Sequence, residues 1–199
     1  PRSIDVNRNP DSPSFGRVYV LQQRTLSTAT GRPTQKGVYA LNADLTDAFG
    51  RTGGGEDSAF TGAVSWADTN TSPFRLVVGP DDKLYIFDWS DTHGGVWNAP
   101  GDLSGSWAEI LSPADIATAD PSSNWTAGQP SPPAIHGRLS SGYVTGRGTQ
   151  RTLYTVDQDL VVPGGNIARS RGSIWKYSLG PVDNTVRTPG QVFWNDEGP

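Results

Sequence analysis

Apolar residues along this chain come in short runs, each cut off by glycine, proline, asparagine or aspartate. The clearest stretch is Pro73-Phe74-Arg75-Leu76-Val77-Val78, then Gly79-Pro80-Asp81-Asp82, then Lys83-Leu84-Tyr85-Ile86-Phe87-Asp88. Gly-Pro-Asp-Asp is turn chemistry, because proline presets φ and aspartate bonds its own backbone. The β-branched and aromatic run on its far side suits a buried strand. The stretch therefore predicts strand, tight turn, strand. A loop over Trp89–Gly94 leads into a third strand that opens on Gly95-Val96-Trp97.

The same order occurs twice more. Arg2–Val6, Gly16–Leu21 and Gly37–Asn42 form a first copy; Gly137–Leu139, Thr152–Asp157 and Gly172–Tyr177 form a third. Second-strand tyrosines Tyr19, Tyr85 and Tyr154 stand 66 and 69 residues apart. First strands are aligned on Ile4, Leu76 and Leu139. Asn42-Ala43-Asp44-Leu45, after the third strand, echoes Asn98-Ala99-Pro100-Gly101-Asp102-Leu103. A fourth short strand is expected at Phe60–Trp66, Ser104–Leu111 and Gly190–Trp194. The expected units are 1–66, 67–111 and 136–199, all within one domain, 1–199. Residues 112–135 carry five prolines and read as an excursion, with one helical turn at Ala114–Ala119.

Tandem four-stranded antiparallel units predict an all-β, propeller-type architecture of about three blades. A lone four-stranded sheet cannot cover both its faces, whereas blades packed face to face bury them. Most of the seven tryptophans are expected inside blades. Pro-x-x-apolar-x-apolar, Gly79-Pro80-Asp81, Leu84-Tyr85-Ile86-x-Asp88 and Gly95-Val96-Trp97 resemble NHL-type and lactonase-like six-bladed propellers. The chain is also similar to propeller segments of large bacterial cell-surface proteins. It departs from that pattern in having Asp82-Lys83 where Asp-Gly is usual, and in showing three copies where closed rings have at least four. The resemblance implies part of a longer propeller, or a half that closes with a second copy of itself.

Composition narrows the function. The net charge of −4 disfavours a generic nucleic-acid binder or a polybasic membrane anchor. No run is long and apolar enough to predict a membrane span. The absence of cysteine excludes disulfides, zinc-thiolate sites and thiol nucleophiles. The chain opens on Pro1 and has no methionine, which predicts a processed product or a piece of something longer. Its Thr, Ser, Asn, Asp and Gly richness points to a secreted or cell-surface location.

Asp88 and Asp157 occupy the same repeat position, with Gln22 there in the first copy; Asp91 and Asp159 lie close by. Clustered carboxylates suit a hard cation, and the lactonase-like resemblance implies such a metal near the axis, with calcium as the candidate. The alternative is that each aspartate caps the turn leaving its own strand, which a position repeated in two blades favours. His93, in a Gly-rich loop, is a candidate base or ligand or an exposed loop residue, and His136, before a strand, a candidate to line a blade edge or channel. No Gly-x-Ser-x-Gly elbow, phosphate cradle or His-Glu-x-x-His motif accompanies them. The pairs Asp81-Asp82, Asp44/Asp47 and Glu56-Asp57 read as solvated turns, and Arg147, Arg151, Arg169 and Arg171 as a solvated basic face, with a carboxylate or phosphate partner as the alternative. Long loops are expected at Arg8–Phe15, Arg24–Lys36 and Gln158–Arg171, where binding usually sits. The sequence thus favours a non-catalytic binding or scaffolding module with a carbohydrate or protein ligand. The alternative is a metal-dependent, lactonase-like hydrolase.

Overall fold

Eleven strands make up the regular structure of the computed structural model, which describes residues 1–23, 36–49, 73–89, 95–103, 107–111, 139–160, 170–180 and 191–195. In chain order they are β1 (Ser3–Val6), β2 (Val18–Gln22), β3 (Gly37–Leu41), β4 (Pro73–Val78), β5 (Lys83–Asp88) and β6 (Gly95–Pro100). β7 (Ala108–Leu111), β8 (Leu139–Thr145), β9 (Thr152–Leu160), β10 (Ser170–Ser178) and β11 (Gln191–Asn195) complete the set. They form three antiparallel sheets, β1-β2-β3, β4-β5-β6-β7 and β8-β9-β10-β11, each strand beside its neighbour in sequence. The described residues hold no α-helix; a 3-10 turn spans Gly148–Gln150. No helix among them is long and apolar enough to cross a membrane.

The second and third sheets are the same object built twice. Tyr85 lies between Val77 and Asn98, and Tyr154 between Tyr143 and Lys176. Register shifts fall at matching places. One lies between Pro73 and Arg75 on β4 and between Leu139 and Ser141 on β8. The other lies between Val96 and Trp97 on β6 and between Ile174 and Trp175 on β10. Bulges re-aim a strand and increase its twist, so two sheets bulged at the same places share one curvature and can nest. The first sheet follows the same register, with Ile4 opposite Val20, and Val20 opposite Tyr39.

The sheets pack in chain order. β1 and β2 lie against β4, and β4 and β5 against β8. Alternation along each strand splits the apolar residues into two cores. Tyr19, Leu21, Val38 and Ala40 of the first sheet meet Leu76, Val78, Leu84, Ile86 and Ala99 of the second. The opposite face of the second sheet, with Val77, Tyr85, Phe87 and Val96, meets Leu139, Val144, Leu153, Trp175 and Tyr177 of the third. The middle sheet is thus covered on both faces, and its β5 is buried from Leu84 to Asp88. Of the tryptophans, Trp107 and Trp175 are buried in these cores and Trp97 packs half-buried against the first.

Several expectations need correction. The first strand of the third unit does not end at Leu139 but starts there, so Gly142, opposite Thr155, takes the place of Ile4 and Leu76. The loop expected over Gln158–Arg171 is shorter, since β9 runs to Leu160 and β10 begins at Ser170. The fourth strand expected at Phe60–Trp66, the helical turn at Ala114–Ala119 and nearly all of the Arg24–Lys36 loop lie outside the described residues.

The turn echo has a structural counterpart. Leu45 and Leu103 both take positive φ, 68° and 56°. Their amides close matching turns on Asn42 O and Pro100 O, each at 2.9 Å.

Candidate functional site

The ends of β1, β4 and β8 come together at one end of the sheets, and their turns are tied by side chains. Asp5 sits at the centre. Its Oδ2 accepts from the Val78 amide at 2.9 Å, joining the first strands of two sheets. Its Oδ1 accepts from the Val6 amide and pairs with Arg8 at 3.1 Å. Ser3 donates to Leu76 O at 3.2 Å across the same boundary. Asp82 Oδ1 accepts from Asn7 and Asn9 at 3.2 and 3.1 Å. Arg147, just past β8, donates to Asn9 Oδ1 at 3.2 Å. One loop of the first sheet therefore holds turns of the other two.

A second set of contacts links the middle and third sheets. Tyr85 OH donates to Asp81 Oδ2 at 2.7 Å, and Arg151 Nη1 reaches the same oxygen at 2.8 Å. Arg151 also donates to Gly148 O and Gly180 O, and it is only 3% exposed. Between the first two sheets, Tyr19 OH donates to Gly101 O. Each tyrosine thus engages the next sheet just beyond its third strand, directly or through an arginine.

Asp81, Asp82 and Arg151 are therefore not solvated turn or surface groups as their sequence context implies. Arg151 is buried and Asp81 and Asp82 are half-buried, and each bonds to a neighbouring sheet. Asp44 does fit a solvated turn: it is exposed and accepts from the Thr46 amide and hydroxyl, which hold its carboxyl below the usual range.

Burial, then the adjacent Asp81 carboxylate, raises the Tyr85 phenol well above the ordinary tyrosine value of 10.0; burial also raises the Tyr19 phenol. The folded chain keeps these protons after the unfolded chain has lost them. Stability is then fully present below pH 10 and falls as pH rises beyond it. Alkaline titration of the unfolding free energy should show that fall, and Tyr85→Phe should flatten it. A variant whose alkaline limb matches the wild type would contradict the burial of this phenol.

Above the tied turns lies a cleft of about 200 Å³, lined by Val6, Arg8, Asn9, Val78, Pro80, Tyr143 and Arg147 among others. Arg8 is largely exposed and shares Asp5. Arg147 meets Asn9, and no carboxylate pairs with it among the described residues. Tyr143 exposes about half its surface beside them. Two guanidiniums, an aromatic ring and apolar walls suit an anionic group carried on a compact body.

Of the residues singled out from sequence, Asp88, Asp157 and Asp159 lie within the described strands. Asp88 ends β5, buried, opposite Pro73 and Gly95. Asp157 holds the matching register on β9, opposite Leu139 and Ser173, and Asp159 lies opposite Arg171. Asp91, His93 and His136 lie outside the described residues. Among the described residues, no three Asp, Glu, His or Cys side chains group as a metal site would need. The Arg8–Phe15 loop was legible as a binding loop, but its meeting with Arg147 was not, because Asn9 and Arg147 are 138 residues apart, with no local motif to join them.

No protein-family model matches the chain, and no curated protein matches it.

Proposed function

We propose that the chain is a segment of a β-propeller of the NHL-like or lactonase-like kind its repeat resembles. In this reading it serves a secreted or surface bacterial protein as a non-catalytic binding module. Its ligand enters the cleft at the tied end of the sheets. The observation that carries the binding role is the rim itself, where Asp5, Asp82, Asn9 and Arg147 fix the cleft floor between three sheets. A floor held by side-chain bonds is pre-organised, and pre-organisation lowers the entropy lost on binding. The shared bulges of the second and third sheets support the propeller reading, because repeated curvature lets successive sheets stack around an axis.

Titration with D-glucuronate, followed by amide chemical shifts, tests the role. The expected result is saturable shifts at Arg8, Asn9, Tyr143 and Arg147, with D-glucose far weaker. Arg147→Ala should weaken glucuronate binding about tenfold, the loss of one charged hydrogen-bonding partner. Unmoved cleft resonances would overturn the assignment of this cleft. Stoichiometric bound calcium together with lactone hydrolysis would replace the binding role by the hydrolase reading.

A further inference from the structure

The two outermost sheet faces differ from the inner ones in what covers them. On the second sheet, Leu76-Ile86-Trp97 and Val78-Leu84-Ala99 form two cross-strand rows packed under the first sheet. The first sheet carries the matching rows Ile4-Val20-Tyr39 and Val6-Val18-Leu41. Every one of those six is apolar or aromatic, yet none is buried. Ile4 is 62% exposed where its counterpart Leu76 is fully buried. Leu45 is 66% exposed where its counterpart Leu103 is 7% exposed. Leu45 also holds a positive φ that leucine seldom adopts. For Leu103 that conformation places the side chain in a core; for Leu45 the same turn presents it to solvent.

The far face of the third sheet has the opposite character. Tyr154, Val156 and Ile174 occupy the register positions of Tyr19, Leu21 and Val38, the side chains that cover the second sheet. Tyr143 is exposed on that face. Lys176 stands where Ala40 stands, and its stem can lie along apolar surface with the ammonium in water. One end of the stack thus carries the covered type of face, and the other end the covering type.

We propose that a second copy of this chain docks head to tail, its Tyr154-Val156-Ile174 face on the Ile4-Val20-Tyr39 face. Such an interface continues the packing already present twice within the chain. It rests on the propeller reading of the sheets but not on the cleft. Two copies would then present two identical interfaces and close a ring of six sheets.

Analytical ultracentrifugation across a wide concentration range tests it, with an expected mass of twice 21.2 kDa. Val20→Lys and Val156→Lys each spoil one of the two faces and should each give a monomer of unchanged circular dichroism. Mixing the two variants should restore dimer, because one undamaged interface can then form. Leu45→Gly, which relieves the backbone, should keep the fold while weakening the dimer. A monomer at every concentration would overturn the docking while leaving the repeat of the second and third sheets untouched. A dimer that survives both lysine variants, or one disrupted by Val20→Lys alone, would overturn the head-to-tail geometry.

Discussion

Asp81→Ala is expected to destabilise the chain by about 3 kcal/mol, the cost typical of removing one partner of a buried ion pair. For a domain of this size that lowers the melting temperature by roughly 6–12 °C. The cause is Arg151. Its guanidinium is almost wholly enclosed, and Asp81 is the carboxylate paired with it, at 2.8 Å. The Gly148 and Gly180 carbonyls and the Tyr85 hydroxyl also meet the guanidinium. Those are dipoles and do not neutralise it. Arg8→Ala provides the control. Its pair with Asp5 is exposed on the arginine side, so its loss should change stability by less than about 1 kcal/mol. Urea unfolding followed by tryptophan fluorescence measures both. Equal effects of the two substitutions would show that the Asp81–Arg151 pair is not enclosed.

Gly142→Ala is expected to cost about 2–3 kcal/mol through overpacking. A Cβ there would stand 2.2 Å from Phe87 Cε1 and 2.4 Å from the Tyr154 carbonyl oxygen. The phenyl ring belongs to the middle sheet, so the glycine sets how closely the third sheet approaches it. Adding Phe87→Leu should recover part of the loss, because a shorter side chain vacates the ring position. The carbonyl cannot move away, so recovery stays incomplete. A double-mutant cycle should therefore give a coupling of about 1 kcal/mol. Strict additivity would mean that Gly142 and Phe87 do not touch.

The middle unit was legible in the sequence because its own residues mark its ends. Gly79-Pro80-Asp81-Asp82 lies between β4 and β5, and Gly95 opens β6. The tyrosines at 19, 85 and 154 were legible as a repeat because each occupies the same register position. What failed depended on another sheet. The sequence places the third unit's first strand at Gly137–Leu139, yet Ser140, Ser141 and Gly142 lie inside β8, where Gly142 makes room for Phe87. Asp81 looks like an ordinary turn aspartate, and only the approach of Arg151, 70 residues away, encloses it. The cleft was legible only as its Arg8–Phe15 wall, since the other walls come from the second and third sheets. The Leu45 and Leu103 echo was visible as a likeness of sequence. That both leucines adopt the left-handed conformation, one in a core and one in the open, needed coordinates.

The sheets pack in chain order, and the middle sheet is shared between two separate cores. Proton–proton Overhauser contacts in the labelled chain measure this most directly. The expected contacts join Tyr19 and Leu21 to Leu84 and Ile86, and Tyr85 and Phe87 to Val144 and Leu153, with none between Leu21 and Leu153. Contacts between Leu21 and Leu153, or a single core shared by all three sheets, would contradict it.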